Sequence, residues 1–323
     1  MHILMIRLSA LGDLLRTLPA LHELRRAFPQ ARITWLAQDM ARDLLDGHPE
    51  VDEWLYFPRK EWTDAKVLAR FLKNLREREY DLILDFHGRF KSAALLVAAR
   101  GKRKIGLAPP ASREGACFFY REIVPCSAQN RIEQSFCLLR HIGVAPALEW
   151  KLPVPNEAQT WAEQQVRALE GRRLIFMFPA TSRAGHHGAR KEWSVEGFCA
   201  LGRRLLAGQR DAAIMVGHGP GEEETARAVV KGIGGGAVLA PATTLSQIAA
   251  LISRASLYIG GDTGPTHLAW LLKVPTVALF LSTSPAVNGA PSSASWYRAV
   301  ELPPSTDEAV RRASEAAEFL LKK

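Results

Sequence analysis

Short apolar strands that alternate with helices recur along the whole chain, and this alternation constrains the fold more than any other feature. The sequence opens with an apolar strand at residues 2–8 and a glycine-containing turn. A helix with leucines at three- and four-residue spacing follows, and then a second strand at residues 32–37. Such a strand–helix–strand unit has a right-handed crossover, which predicts a parallel sheet. Further strands are predicted at residues 53–57, 82–86 and 104–107.

The alternation breaks once, around the proline-containing stretch at residues 150–155, and then restarts. A chain of 323 residues is long for one domain. We therefore predict an α/β protein with two doubly wound parallel-sheet domains, residues 1–150 and residues 151–323. Strands in the second domain are predicted at residues 174–178, 213–216, 237–239, 257–260 and 276–280, with helices at residues 195–206, 245–255 and 306–321.

Composition and charge limit the functional classes. No apolar run reaches the roughly 18 residues of a transmembrane helix, and the N-terminus does not resemble a signal peptide, so a cytoplasmic location is expected. The net charge of +9 is spread over both halves, which disfavours a dedicated nucleic-acid face and suits anionic small ligands or an anionic membrane surface. The four cysteines show no CxxC spacing, so we expect reduced thiols without a metal.

The first candidate site is the turn after the first strand, where Gly12 precedes Asp13. A carboxylate at the C-terminal edge of a sheet and at the start of a helix is stabilised in its charged form and can act as a general base. A helix N-cap with Gly12 in the turn explains the same residues. The spacing leaves both interpretations open.

Two further candidate sites lie in the second domain. Hydroxyl and basic residues follow the strand at 174–178 and can hold a diphosphate, although a solvated basic loop is an equal explanation: Thr181, Ser182, Arg183 and Lys191. A glycine-rich turn and helix start follow the strand at 257–260, and polar side chains beside the glycines favour ligand binding: Asp262, Thr263, Gly264 and His267.

A fourth candidate, Glu222, follows the strand at 213–216 and can accept hydrogen bonds from ribose hydroxyls, or simply begin a helix. No D-x-D pair occurs in the chain, so the usual carboxylate grip on a metal–diphosphate complex is missing. No G-x-G-x-x-G fingerprint follows the first strand, which disfavours a dinucleotide-dependent oxidoreductase.

Taken together, these blocks resemble the bacterial lipopolysaccharide heptosyltransferases. The similarity is carried by residues 7–20, RLSALGDLLRTLPA, and by residues 261–269, GDTGPTHLA. Weaker similarity at residues 85–94, DFHGRFKSAA, and at Arg113–Glu114 and Phe119–Tyr120 points to the subfamily that adds the first heptose to the inner-core Kdo. Two positions depart from the family: Ser182 stands where threonine is common, and residues 280–283 replace a Phe-Gly-Pro-Thr turn.

The resemblance implies a GT-B fold with two Rossmann-like domains facing a central cleft, the last helix (about 306–321) packing back on the first domain. It also implies inverting, metal-independent and cofactor-free transfer of heptose from ADP-heptose to the Kdo of Kdo2-lipid A, at the cytoplasmic face of the inner membrane. Asp13 would be the base in an acceptor-binding first domain. The second domain would hold the donor through Thr181, Ser182, Arg183, Lys191, Glu222, Asp262, Thr263, Gly264 and His267. Candidate acceptor contacts are Ser9, Gly12, Arg59, Lys60, Arg89, Lys91, Arg113 and Arg131.

Two alternatives remain at the level of sequence. One is a transferase for the second heptose or for another sugar on the same fold. The other is a non-catalytic nucleotide-sugar-binding homologue, against which the carboxylate of Asp13 argues because binding alone gives no reason to keep it.

Overall fold

The computed structural model describes residues 1–180 and 192–322. The chain divides into two compact units, Met1–Pro153 and Val154–Lys323, so the division lies three residues beyond the predicted one. Each unit contains a six-stranded parallel sheet. The predicted roles of the two units in acceptor and donor binding remain predictions.

The first unit has the strand order β3-β2-β1-β4-β5-β6, which is the order of the Rossmann fold. Its strands are β1 His2–Ile6, β2 Arg32–Gln38, β3 Glu53–Phe57, β4 Glu79–Asp85, β5 Arg100–Leu107 and β6 Glu122–Val124. Its helices are α1 Leu11–Leu15, α2 Leu18–Ala27, α3 Arg42–Leu45, α4 Ala65–Arg76, α5 Phe90–Ala98 and α6 Arg131–His141, with short 3-10 turns at Asp39–Ala41 and Ala116–Phe119.

The second unit repeats this topology with the order β12-β11-β10-β7-β8-β9. Its strands are β7 Arg173–Phe178, β8 Ala212–Val216, β9 Ala237–Leu239, β10 Leu257–Gly261, β11 Thr276–Phe280 and β12 Tyr297–Glu301. Its helices are α7 Asn156–Arg167, α8 Val195–Gly208, α9 Glu223–Ile233, α10 Leu245–Ser253, α11 Gly264–Leu271, α12 Pro285–Asn288 and α13 Thr306–Leu321.

The central strands are apolar on both faces because both faces are buried. In β8, β10 and β11 every residue is buried, as are four of the five residues of β1. A strand covered on one face only would alternate apolar and polar residues, whereas these strands read as continuous apolar runs. This explains why the sequence pattern predicts doubly wound sheets.

The start of the chain departs from the single predicted helix. The leucine-rich segment forms two helices, α1 and α2, which are separated at Arg16 and Thr17. Pro19 lies in the first turn of α2, where its missing N–H leaves no hydrogen bond unmade. The short α1 therefore carries residues 11–15 as a separate element directly after β1.

The last helix, α13, packs on α8 and on strands of the second sheet. Its buried residues Ala313, Ala317 and Leu320 belong to the core of the second unit. Packing of this helix on the first domain stays a prediction.

One expectation about the cysteines is wrong: Cys126 and Cys137 form a disulfide. Their Cα atoms are 6.0 Å apart, a normal distance for a bridge. The eleven-residue separation of these cysteines does not by itself predict a disulfide. The bridge forms because the loop after β6, which contains Cys126, comes close to Cys137 in α6. Cys117 and Cys199 are free thiols. In the described ranges, no helix is long and apolar enough to cross a membrane.

Candidate active site

The carboxyl edge of the first sheet gathers the residues that follow β1 and β4. These strands are neighbours at the point where the strand order reverses, since β2 and β3 lie on one side of β1 and β4 on the other. Ligand sites of open parallel sheets lie at such switch points. Residues 7–13 follow β1, and residues 86–89 follow β4.

Asp13 lies between two arginines at this edge. Its Oδ2 atom is 2.8 Å from Nη2 of Arg7, and its Oδ1 atom is 2.6 Å from Nη2 of Arg16. Ala10 occupies the N-cap position of α1, so the capping interpretation of Asp13 is wrong. Gly12 lies inside α1, and its carbonyl accepts a hydrogen bond from Nε of Arg16 at 3.2 Å. Asp13 therefore belongs to a charged cluster.

Arg7 is held rigidly by the sheet. Its guanidinium is buried and donates to the carbonyl of Phe86, which follows β4, while its own carbonyl accepts from the indole of Trp35 at 3.4 Å. Burial lowers the pKa of the Arg7 guanidinium, and the Asp13 carboxylate opposes this shift. An arginine remains protonated under such perturbation, so Arg7 is a fixed positive charge beside Asp13.

Arg131, at the start of α6, brings a third arginine into the same electrostatic environment. Burial lowers the pKa of its guanidinium; the charge of Asp13 opposes this shift, and the charges of Arg113, Arg7 and Arg16 add to it. We call Arg7, Asp13, Arg16 and Arg131 the arginine–aspartate cluster. Its net positive charge suits an anionic substrate, and its carboxylate is stabilised in the ionised form.

The loop after β4 is organised by Asp85, a fully buried carboxylate that accepts four hydrogen bonds. Their donors are the N–H groups of His87 and Gly88 at 2.9 and 3.1 Å, the Ser92 hydroxyl at 2.8 Å and the Tyr120 hydroxyl at 2.9 Å. Burial raises the pKa of Asp85, and the hydrogen bonds oppose this shift. Asp85 thus fixes the turn that positions His87 and Arg89.

Gly88 has a positive φ of +67°, and a Cβ there would lie 3.3 Å from the carbonyl oxygen of Ala111. Only glycine accepts this conformation without strain. The loop borders a cavity of about 20 Å³, enough for one water molecule, whose polar lining includes Arg7, Asp85, His87 and Arg131.

His87 is neutral at this edge. Burial, followed by repulsion from Arg7, lowers its pKa to about 4, although Asp13 and the backbone of Ser9 oppose the shift. The unfolded chain has the ordinary histidine pKa of 6.5, so it binds more protons than the folded protein between pH 6.5 and 4. The free energy of unfolding should therefore fall as the pH is lowered through this window, and His87 should not affect it above pH 6.5.

The test is the urea midpoint of wild type and His87→Gln at pH 7 and pH 4.5, with His141→Gln as the comparison, an exposed histidine that pairs with Glu122 at 2.9 Å. Glutamine cannot take up a proton, so we expect a smaller loss of stability on acidification in His87→Gln than in wild type or His141→Gln. Equal losses in all three proteins would contradict the burial argument.

The other predicted acceptor residues also follow strand ends of the first sheet. Arg89 pairs with Glu114 at 2.5 Å. Lys91 lies 3.9 Å from the ring centroid of Phe57, and burial and the charge of Arg59 lower the pKa of Lys91. Lys60 is exposed. Arg131 belongs to the arginine–aspartate cluster, and the charge of Arg113 acts on its guanidinium.

The carboxyl edge of the second sheet has a matching switch point between β7 and β10. The predicted donor residues after β7 lie outside the described residues: Thr181, Ser182, Arg183 and Lys191. After β10, Thr263 is the N-cap of α11 and Gly264 its first residue, and the Thr263 side chain makes no capping hydrogen bond. The first turn of α11 is the positive end of the helix dipole, which favours an anion.

Asp262 and His267 form a buried pair at the same end of the sheet. Nε2 of His267 lies 3.5 Å from Oδ1 of Asp262, and Nδ2 of Asn288 donates to Oδ2 of Asp262 at 2.9 Å. The indole N–H of Trp270 donates to Nδ1 of His267 at 3.2 Å. A nitrogen that accepts cannot carry the proton, so a neutral His267 carries it on Nε2, facing the carboxylate. We call Asp262, His267, Trp270 and Asn288 the histidine–aspartate cluster.

Glu222 occupies the N-cap position of α9, and its Oε2 accepts from the N–H of Gly219 at 2.8 Å. The charge of Glu222 also acts on Tyr258 in β10. Burial raises the pKa of Tyr258, and the negative charge of Glu222 raises it further. The Tyr258 hydroxyl lies 3.2 Å from Oγ1 of Thr266 in the first turn of α11. The N-cap position agrees with the interpretation that Glu222 begins a helix, and its contact with a ribose stays a prediction.

Several residues of these clusters were not singled out from the sequence as site residues. They are Arg7, Arg16, Asp85, His87, Tyr120, Trp270 and Asn288. The first five lie in or beside the quoted motifs, so the motif blocks were the only available signal. Trp270 directly follows the quoted block 261–269 and contacts His267 within α11, whereas Asn288 enters through a tertiary contact that the local pattern does not encode.

Two Rossmann-like domains, each with polar clusters at its carboxyl edge, have the GT-B architecture. A family model described as "Glycosyltransferase family 9 (heptosyltransferase)" matches residues 68–308, well over half of the chain. The chain belongs to this family and is a glycosyltransferase. In the described ranges, no group of three or more histidine, cysteine, aspartate or glutamate side chains could hold a metal ion.

Curated relatives and solved structures agree with this assignment. The chain is 29% identical over 304 residues to lipopolysaccharide heptosyltransferase 1 of Pseudomonas aeruginosa, covering 90% of this chain and 81% of the relative. It is 26% identical over 289 residues to lipopolysaccharide heptosyltransferase 3 of Escherichia coli, covering 84% and 81%. Its fold matches the E. coli heptosyltransferase WaaC with ADP, with a TM-score of 0.78, 24% identity and coverage of 100% and 99%.

Proposed function

We propose that the protein transfers heptose from ADP-heptose to the Kdo of Kdo2-lipid A in lipopolysaccharide inner-core synthesis, with inversion at the anomeric carbon. Support comes from the family and from relatives named lipopolysaccharide heptosyltransferase 1. The single observation that carries the reaction is Asp13, a carboxylate between two arginines after β1. The proposal includes peripheral contact with the cytoplasmic face of the inner membrane.

In the proposed reaction, the acceptor hydroxyl oxygen attacks the anomeric carbon and forms the new glycosidic bond. The hydroxyl proton passes to Asp13, and the bond from the anomeric carbon to ADP breaks with its electron pair leaving on the diphosphate. The remaining positive charge of the arginine–aspartate cluster binds the carboxylate of Kdo, because an arginine fork matches a carboxylate. The first unit thus supplies acceptor binding and the base, and the second unit binds the donor.

The donor is assigned to the carboxyl edge of the second sheet. The helix start at Thr263 and Gly264 suits the diphosphate, and Glu222 suits the ribose hydroxyls. Asp262 is an acceptor only, so it suits heptose hydroxyls and repels phosphate. The side-chain amide of Asn288 holds the Asp262 carboxylate, and Nε2 of His267 faces it at 3.5 Å.

The direct test incubates the full chain with ADP-heptose and either Kdo2-lipid A or the same acceptor already carrying one heptose. Mass spectrometry of the products should show one added heptose on Kdo2-lipid A. Addition only to the heptose-bearing acceptor would favour the alternative of a transferase for the second heptose. Binding of donor without any product would favour the non-catalytic alternative.

We expect the transfer rate to be unchanged in EDTA. The chain has no D-x-D pair, and the proposed diphosphate site relies on helix amides and the cations of residues 181–191. The measurement compares initial rates in EDTA, in magnesium and in manganese. A rate that vanishes in EDTA and returns with either metal would show that the charge argument is incorrect.

A further inference from the structure

Four exposed aromatic side chains lie on the first unit, and no part of the proposed reaction uses them. Trp62 is 53% exposed, Phe90 53%, Phe118 87% and Phe119 36%. We call these four residues the aromatic patch. Large aromatic side chains are normally buried or partly covered, so several exposed together mark an interaction surface.

The four side chains belong to one surface. The rings of Phe90 and Phe119 meet edge to face, with centroids 5.6 Å apart, and Phe118 is the neighbour of Phe119 in the 3-10 turn. Lys91 follows Phe90 on α5, and its Nζ atom lies 6.0 Å from the ring centroid of Trp62. The patch therefore runs from the loop after β3, across the start of α5, to the turn before β6.

Basic side chains outnumber acidic ones in the segments that carry the patch. The segments that carry it are residues 59–62, 89–91 and 113–121, and they hold six basic and two acidic side chains. One of the two acidic residues, Glu114, is already paired with Arg89 at 2.5 Å. Exposed aromatic side chains among basic ones, which we call the basic rim, are complementary to a surface with an apolar interior and a negatively charged outer layer.

We propose that the aromatic patch docks the protein on a bilayer that contains anionic phospholipids. The phenylalanine rings enter the boundary between headgroups and acyl chains, as apolar side chains of interfacial segments do. Trp62 lies at the headgroup level, and the basic rim contacts lipid phosphates, each cation adding to the attraction. A protein partner would need a matching acidic and apolar face, whereas an anionic bilayer provides both properties in one surface.

The inference rests on the proposed membrane contact and names the surface that makes it. The aromatic patch and the arginine–aspartate cluster share one segment, residues 85–91. In this segment His87 is electrostatically coupled to Arg7 and Asp13, and Phe90 is exposed in the patch. Docking here therefore places the acceptor-binding edge of the first sheet close to the bilayer that holds a lipid-linked acceptor.

The experiment is co-sedimentation of the full chain with vesicles of phosphatidylglycerol and phosphatidylethanolamine, without acceptor, and with phosphatidylcholine vesicles as the neutral comparison. Wild type should bind the anionic vesicles and bind the neutral ones weakly. Phe118→Ser should weaken binding to anionic vesicles by about tenfold, since burial of one phenylalanine is lost. Lys60→Glu should weaken it by about tenfold and the loss should shrink in high salt, since two units of charge change near the lipid surface.

Phe319→Ser is the matched control, because Phe319 is an exposed phenylalanine (45%) on the second unit. Like the patch, it has a basic side chain nearby, since Arg298 lies 4.3 Å from its ring centroid. It should bind like wild type. Equal binding of Phe118→Ser and wild type, an equal loss in Phe319→Ser, or no vesicle binding by wild type would each overturn the proposal. A loss that appears only when the vesicles contain Kdo2-lipid A would also overturn it, in favour of a site for acceptor acyl chains.

A second readout separates this inference from the proposed function. With detergent-dispersed Kdo2-lipid A, Phe118→Ser should transfer heptose as fast as wild type, whereas with vesicle-embedded acceptor it should be slower. Absence of transfer under both conditions would contradict the proposed function, and the vesicle-binding result would still decide on the patch.

Discussion

Asp13→Asn is expected to lower kcat by about two to four orders of magnitude, the range for loss of a general base. Asparagine keeps the size and the acceptor oxygen of Asp13, but it cannot take the proton from the acceptor hydroxyl. The affinity for ADP should change little, because the donor is assigned to the second unit. The measurement is the initial transfer rate at saturating donor and acceptor, together with calorimetric titration of ADP.

The two arginines beside Asp13 restrict how this carboxylate can act as a base. Two guanidinium groups within 2.8 Å favour the ionised carboxylate, and the same charges reduce its basicity. Such a weak base is effective only when the proton leaves late, after the acceptor oxygen has begun to bond to the anomeric carbon and has become acidic. The ion pairs with Arg7 and Arg16 keep Asp13 in the charged form that can accept this proton.

The loss of charge also leaves Arg7 buried without its full ion pair, which destabilises the fold as well. A purely structural role would lower the unfolding midpoint and leave the pH dependence of the remaining activity unchanged. For a base, the acidic limb of the pH–rate profile should disappear in Asp13→Asn, and Asp13→Glu should restore part of the rate. The pH profile therefore separates the two roles.

Asp52→Asn is the matched control. Asp52 is also ion-paired, with Arg25 at 2.5 Å, but it precedes β3 and so lies at the amino edge of the first sheet. We expect near-normal kcat in this variant. Near-normal kcat in Asp13→Asn as well would contradict the base assignment and leave Asp13 as an organiser of Arg7 and Arg16.

The fold was largely predictable because the central strands of both sheets are buried on both faces and read as apolar runs. Two of the four edge strands, β6 and β12, were missed for the opposite reason. In β6, Glu122–Val124, only Val124 is buried, and β12 is similarly mixed, so neither shows the pattern. The division of the first helix was also missed, because the leucine spacing continues through Arg16 and Thr17, where the helix is interrupted.

The candidate site was predictable only where a motif carried it. The position of Asp13 after β1 follows from the strand-to-helix pattern, but its two arginine partners depend on the sheet register that places Arg7 against the carbonyl of Phe86. Asn288 lies 26 residues from Asp262 in the sequence and reaches it through the loop after β11. Contacts of this kind arise from tertiary packing, so they cannot be predicted from local patterns in a single sequence.

Lys191→Ala is expected to weaken ADP binding by about ten- to a hundredfold, which corresponds to the ~1.5–3 kcal/mol of a hydrogen bond to a charged group. Lys191 lies outside the described residues, so the prediction rests on the charges of the described residues in the candidate donor site. Asp262 and Glu222 are carboxylates, and the Trp270 hydrogen bond leaves a neutral His267 with its proton on Nε2. We therefore expect the predicted donor cations, Arg183 and Lys191, to compensate the diphosphate charge together with the helix start at Thr263.

The measurement is calorimetric titration of ADP into the full-length variants at a fixed salt concentration. Lys231→Ala is the control, because Lys231 is an exposed lysine on α9 of the same unit and should bind ADP like wild type. Lys191→Arg should keep most of the affinity if the charge is what matters, since arginine also binds phosphate. Wild-type affinity in Lys191→Ala would mean that the helix start at Thr263 neutralises the diphosphate without this lysine. A loss in Asp13→Asn as large as in Lys191→Ala would contradict the assignment of the donor to the second unit.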